Sequence, residues 1–138
     1  MTPKIIYMTN IDRRYFMMRR ALDELIADGE MPASSQVVKT EDGSVWSASW
    51  EEKLRGSALV MIRFMGNTIR TKFWTACMHF LSREGIPYYM DAAGSAEEEC
   101  IERVAAKDIE AMKAYSFYGG LTNYKNLWLY ARSLFDKG

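Results

Sequence analysis

A near-continuous apolar run at residues 58–64 dominates the hydrophobic pattern of the chain. The run is too short for a helix, because Gly66 and Asn67 interrupt it. A strand that is apolar on both faces must be covered on both faces, which is typical of the middle of a parallel sheet. Thr68 then occupies a position that suits a helix N-cap, and an amphipathic pattern follows it. The stretch therefore predicts a central strand, a tight loop and a helix.

Two shorter apolar runs predict further strands, at residues 4–8 and at residues 86–90. Amphipathic segments separate the three runs, and this alternation is typical of a sheet whose strands are parallel. We expect an α/β protein of three layers, with a mostly parallel sheet, helices on both faces and the 58–64 strand in the centre. The general form is flavodoxin-like or Rossmann-like, and residues 1–138 are expected to form a single domain.

The segment between the first two runs has the weakest pattern. Residues 37–40 predict a short strand, and residues 45–46 predict a second one. Ser49 and Glu52 have the spacing of a capping box, in which the serine caps a helix and the glutamate reaches back to the cap. The short helix that this box opens is expected to end near Gly56.

The first long helix is predicted to run through Ala27, with Asn10 or Asp12 as its N-cap and Gly29 just past its end. Apolar residues recur at helical spacing along one of its faces. Its other face carries four arginines: Arg13, Arg14, Arg19 and Arg20. This cluster is consistent with an anion site, but acidic residues are interleaved with it, so the pattern favours a solvated helix face.

Two more helices follow from the periodicity. One spans about residues 69–84, with His79 on its polar side. The last helix begins at Thr122 or Asn123 and is apolar along one face. Its aromatic content, together with that of residues 115–118, exceeds what one stripe can bury. Part of it therefore suits a docking surface.

The net charge and the absence of known motifs argue against several classes of function. The 18 Lys and Arg residues balance 18 Asp and Glu residues, so the net charge does not favour nucleic acid or an anionic membrane as a partner. The sequence contains no Gly-x-Gly-x-x-Gly, no Walker-type phosphate loop and no His-Glu-x-x-His. We therefore expect no catalytic residue, no metal site and no cofactor bound by this domain. The two cysteines, Cys77 and Cys100, fit reduced thiols in a cytoplasmic protein.

The candidate ligand site lies where the predicted strands end. Carboxyl ends of parallel strands share one edge of the sheet, which is where ligands usually bind in α/β folds. The residues gathered there are Asn10, Arg63, Asn67, Arg70, Asp91 and Ser95. Two arginines and two helix starts favour an anion. The alternative is that Arg63 pairs internally with Asp91 and that the edge is only solvated.

Three blocks of sequence resemble the amino-terminal region of the cobaltochelatase large subunit of the CobN type, which is related to the magnesium chelatase large subunit. The blocks are residues 58–66, Gly-Ile-Pro at residues 85–87, and Tyr-Gly-Gly-Leu-Thr-Asn-Tyr-Lys-Asn-Leu at residues 118–127. The similarity covers residues 58–134 well and residues 4–29 loosely. Asn67 stands where the family has a second glycine.

This resemblance implies a domain of an ATP-dependent chelatase that inserts cobalt into a corrin precursor of cobalamin. Family members are much longer than this chain, their ATPase activity belongs to separate subunits, and their tetrapyrrole and metal sites lie mostly in later domains. The chain is then expected to be an amino-terminal head-domain fragment that is inactive alone. The full complex would use ATP, Mg and Co. Its partners would be the remaining domains, the smaller ATPase subunits and a tetrapyrrole. The alternative is a stand-alone α/β module that binds a small anion or docks a protein.

Overall fold

The computed structural model describes residues 3–41, 44–63, 72–90 and 121–135. Within these residues the chain forms four strands and four helices. In chain order they are β1 (Ile5–Thr9), α1 (Asp12–Ala27), β2 (Gln36–Lys39), α2 (Ala48–Leu54), β3 (Leu59–Arg63), α3 (Lys72–Arg83), β4 (Tyr88–Met90) and α4 (Leu121–Ser133).

The described strands form one parallel sheet in the order β2-β1-β3-β4. Strand β3 lies between β1 and β4, which confirms the central position predicted for the 58–64 run. All five residues of β1 and the first four of β3 are buried, because helices cover both faces of the sheet. The strand order is that of the flavodoxin-like type of doubly wound sheet. The α/β class and the parallel sheet are therefore confirmed.

Two apolar clusters fill the space on either side of the sheet. The first contains Tyr7 and Met61 from the strands and is covered by α1 and α4. The second contains Met8 and Ile62 and is covered by α3 and Leu54 of α2. Because successive strand residues point to opposite faces, neighbouring residues along β1 and β3 enter different clusters. This alternation produces the three layers.

Helices α1 and α3 end in the same way. Gly29 and Gly85 have φ angles of +75° and +68°, in the left-handed region that glycine adopts without steric cost. After α3, Gly85 N–H donates to Ser82 O and Ile86 N–H donates to Leu81 O, which is the hydrogen-bond pattern of a Schellman motif. The predicted ends of these helices are confirmed.

The caps predicted for α1 and α2 and one predicted strand are wrong, and Thr68 lies outside the described residues. The N-cap of α1 is Ile11 rather than Asn10 or Asp12, and it makes no side-chain cap hydrogen bond. Helix α2 begins after Ser47, so Ser49 and Glu52 do not form a capping box.

Trp46 is not in a strand, and neither is the residue before it. The Trp46 indole donates to Glu51, 3.0 Å away, and its ring packs on the second cluster, which holds this segment against α3.

Several boundaries differ slightly from the sequence-based ones. Strand β4 is shorter than the predicted 86–90 run, and α4 begins at Leu121. His79 is exposed, as its position on the polar side of α3 predicted. The loop after β3, the start of the predicted 69–84 helix and residues 91–120 lie outside the described residues.

Candidate functional site

Three polar residues end adjacent strands at the carboxyl edge of the sheet. In the parallel register, Thr9 of β1 is paired with Lys39 of β2 on one side and with Arg63 of β3 on the other. Register partners in parallel strands lie on the same face, so all three share the face that α1 and α4 cover. The edge therefore places a threonine between two cationic residues.

The position of Thr9 and Arg63 follows from the order of the strands. The chain passes from β1 outward to β2 and then returns to β3 on the other side of β1. The carboxyl ends of β1 and β3 consequently flank the point where the winding direction reverses. In open α/β sheets a crevice forms at this point, and ligands bind in it.

Thr9 fixes the backbone at this crevice. It is fully buried, and its hydroxyl Oγ1 accepts a hydrogen bond from the N–H of Ile11, 3.1 Å away. Its carbonyl accepts another from the N–H of Thr40, at 3.0 Å. Thr9 therefore serves the turn into α1 and the end of β2, and its hydroxyl already has a partner.

Lys39 is held by two carboxylates. Its Nζ lies 2.5 Å from Asp12 Oδ1 and 3.5 Å from Glu41 Oε1, and it also lies 5.9 Å from the centre of the Tyr15 ring. The hydrogen bond with Asp12, followed by the charges of Asp12 and Glu41, raises the pKa of Lys39 against the opposing effect of desolvation. Lys39 thus connects β2 to the first turn of α1 and is not a free cation.

Arg63 differs from Lys39 in this respect. Its side chain is half-buried, and its Nε–H is buried without a hydrogen-bond partner. The sheet therefore ends, in its centre, in a guanidinium group whose Nε–H makes no hydrogen bond.

The structure brings together only some of the predicted site residues. Asn10 follows Thr9 directly, is half-buried and has a polar contact of its own, and Arg63 lies one strand away. Asn67, Arg70, Asp91 and Ser95 lie outside the described residues. Sequence reasoning missed Lys39. The short strand at residues 37–40 was the available signal, but it did not show that β2 lies beside β1.

The arginines of α1 have local roles. Arg19 donates to the Tyr15 hydroxyl at 2.9 Å, and Arg20 pairs with Glu24 at 3.4 Å. The guanidinium of Arg14 lies 5.9 Å from the centre of the Tyr124 ring. These contacts favour a solvated and internally paired helix face over a dedicated anion site.

Other described groups offer little chemistry. Cys77 is buried, and this burial raises the pKa of its thiol to about 12, which makes it a poor nucleophile. In the described ranges, no three His, Cys, Asp or Glu side chains form a group that could hold a metal ion. No described helix has the length and apolar character needed to cross a membrane.

The aromatic residues of α4 are largely structural. Tyr124 and Trp128 are buried in the first cluster, and Tyr130 is half-buried against it. Among the described aromatics of this helical end, only Phe135 is exposed. Tyr124, Trp128 and Tyr130 therefore do not support the docking surface that we expected at this end of the chain.

Comparison with known proteins gives one informative match. No family model and no curated protein matches the sequence. Among solved structures, the chain is similar to the catalytic subunit of cobaltochelatase from Mycobacterium tuberculosis, with a TM-score of 0.68 over 98% of this chain. The chain shares the fold of a segment of that subunit. The sequence identity is 18%, so the likeness concerns the fold.

The expected resemblance to cobaltochelatase is therefore confirmed at the level of structure. The chain spans about 11% of the length of the matched subunit. In that subunit the equivalent fold is one small part of a much longer polypeptide.

Proposed function

We propose that this chain is a non-catalytic domain of a cobaltochelatase-like large subunit. The main support for this proposal is that nearly the whole chain superposes on a segment of a cobaltochelatase catalytic subunit. The enzyme would insert cobalt into a corrin precursor in the cytoplasm, with cobalt as substrate and with Mg and ATP used by separate, smaller ATPase subunits. The same domain type would serve the related magnesium chelatases.

The non-catalytic role is proposed from the chemistry of the side chains. Metal insertion needs groups that bind the metal and accept protons from the ring nitrogens. The described donor set provides a solvent-exposed His79 and a buried Cys77, and no cluster that fits a metal. The domain would act by packing against the remaining domains of the subunit and by presenting the carboxyl edge of its sheet to a tetrapyrrole.

Depletion of the native polypeptide tests this proposal. An antibody raised against residues 3–41 is used to remove the native polypeptide from an extract of the source cells that inserts cobalt into a corrin precursor. We expect the depleted extract to lose its cobalt-insertion activity and to regain it when the material eluted from the antibody is added back. A pre-immune antibody is the control. Undiminished activity after complete depletion would contradict the proposal.

A further inference from the structure

Burial of the Arg63 Nε–H costs free energy, and no hydrogen bond in the described fold offsets that cost. A buried N–H group without a partner loses its hydration and gains no hydrogen bond in return. Native proteins rarely leave such a group in place without a reason, and an absent ligand is one such reason. The unpartnered Nε–H of Arg63 therefore points to a group that completes its hydrogen bonding.

The location of Arg63 supports a ligand over a chance defect. Its register partner is Thr9, so it lies at the crevice between β1 and β3 where the winding of the sheet reverses. The Thr9 hydroxyl is engaged by Ile11 N–H, and the Lys39 ammonium is engaged by two carboxylates. Of the three side chains that end these strands, only Arg63 has a buried polar atom without a hydrogen-bond partner.

The neighbouring charges define the ligand. Lys39 carries one positive charge and contacts both Asp12 and Glu41, so the β2 side of the edge has an excess of one negative charge. A dianion such as phosphate would be repelled by this excess while meeting a single guanidinium, that of Arg63. A monoanion that presents two oxygens in a plane matches both the charge and the fork geometry of arginine.

We propose that the crevice between the carboxyl ends of β1 and β3 binds a single carboxylate group, with Arg63 as its cationic ligand. The ligand class is a small carboxylic acid. This inference does not depend on cobalt chemistry. The binding assay below uses neither metal nor partner subunits, so its failure and the failure of the proposed function are separate results.

Binding is measured with propionate as the probe. Amide chemical shifts of the ¹⁵N-labelled chain are followed up to about 50 mM propionate, with propionamide as the neutral isostere and phosphate as the dianion, at constant ionic strength. We expect propionate to shift the amides of Thr9, Lys39 and Arg63 more than either control compound. Arg63→Met should weaken propionate binding about tenfold or more, and Arg63→Lys should weaken it less.

The matched control is Arg20→Met, because Arg20 is an exposed arginine of α1 that already pairs with Glu24. This variant should bind propionate as the unsubstituted chain does. Equal binding by the Arg63→Met chain, or no shift at these amides in the unsubstituted chain, would overturn the proposal.

A stability measurement separates a ligand-binding role from a structural one. If Arg63 is held unpaired for a ligand, Arg63→Met removes an orphaned donor and keeps most of the apolar stem. The thermal midpoint without ligand should then rise by about 3 °C. Propionate should raise the midpoint of the unsubstituted chain and leave that of the variant unchanged. A lower midpoint for Arg63→Met in ligand-free buffer would show that Arg63 stabilises the fold itself, and would overturn the proposal.

Discussion

The indole Nε1–H of Trp128 donates a hydrogen bond to the main-chain carbonyl of Met18, 3.0 Å away, across 110 positions of sequence. The bond joins α4 to α1 over a face of the sheet where Trp128 is fully buried and its ring centre lies 6.4 Å from that of Tyr7. Helix α4 is thus part of the core that covers β1 and β3, and is not an appended segment.

The first prediction concerns this contact. Trp128→Phe removes the donor and part of the buried ring, so we expect the free energy of unfolding to fall by about 1–3 kcal/mol. Urea unfolding followed by far-ultraviolet circular dichroism measures the change. Phe135→Leu, at an exposed aromatic near the same end of the chain, should change the free energy by less than about 0.5 kcal/mol. Similar losses in the two variants would contradict the role given to Trp128.

The sequence predicts the strands well because their burial is visible in their composition. Residues 59–62 are covered on both faces, and a strand of this kind appears as an uninterrupted apolar run. Gly29 and Gly85 likewise mark helix ends, because their positive φ angles favour one residue type. These signals are local, so they can be interpreted without knowing the rest of the fold.

Capping and pairing are less predictable because they depend on which side chains compete in three dimensions. The Glu51 carboxylate accepts a hydrogen bond from the Trp46 indole, and Ser47 rather than Ser49 precedes α2. Arg63 could be placed at a strand end from the sequence. Its unused Nε–H and the position of Lys39 beside Thr9 follow from the strand order, which the apolar pattern does not encode.

The second prediction concerns the buried thiol. In a Cys100→Ser background, Cys77 should react with a disulfide reagent at pH 8 about three orders of magnitude more slowly than an exposed thiol, because its thiolate is scarce and inaccessible. In about 6 M urea the reaction should become fast. Rapid labelling under native conditions would contradict the burial of Cys77.

The same thiol gives a third prediction, on alkaline stability. The pKa of Cys77 is raised from 9.0 to about 12 in the folded chain, so both states are neutral below about pH 9 and the group then has no effect on stability. Between these values the unfolded chain ionises first, and stability should fall by up to about 1.4 kcal/mol per pH unit. Cys77→Ala should flatten this part of the stability profile, measured by urea unfolding from pH 8 to pH 11. An unchanged slope would contradict the assignment.

The fourth prediction tests the helix end at Gly85. No atom lies within 4 Å of the position where a Cβ would stand, so a substitution there is opposed by the backbone conformation alone. Gly85→Ala should cost about 1–2 kcal/mol, and Gly85→Asn should cost less because asparagine tolerates the left-handed region. Urea unfolding of both variants measures the difference. If asparagine costs more than alanine, the explanation by backbone conformation is wrong.

The last prediction addresses the ion pair that joins β2 to α1. The pKa of Lys39 lies above its ordinary value of 10.5, mainly because of its hydrogen bond with Asp12. Asp12→Asn should therefore lower the pKa of Lys39. Glu41→Gln should lower it less, since Glu41 lies farther from Nζ, at 3.5 Å. Titration of the Lys39 ¹³Cε resonance measures both changes, and Asp23→Asn, at an exposed residue of α1, is the control.

The direction of the stability effect follows from linkage. Because the folded-state pKa of Lys39 is raised, the contribution of the pair is fully present below about pH 10 and is lost as the pH rises through that pKa. The stability difference between the unsubstituted chain and Asp12→Asn should therefore shrink above about pH 10.5. A difference that stays constant through pH 11.5, or equal pKa values for Lys39 in the Asp12→Asn and Asp23→Asn chains, would show that Asp12 does not hold Lys39 in solution.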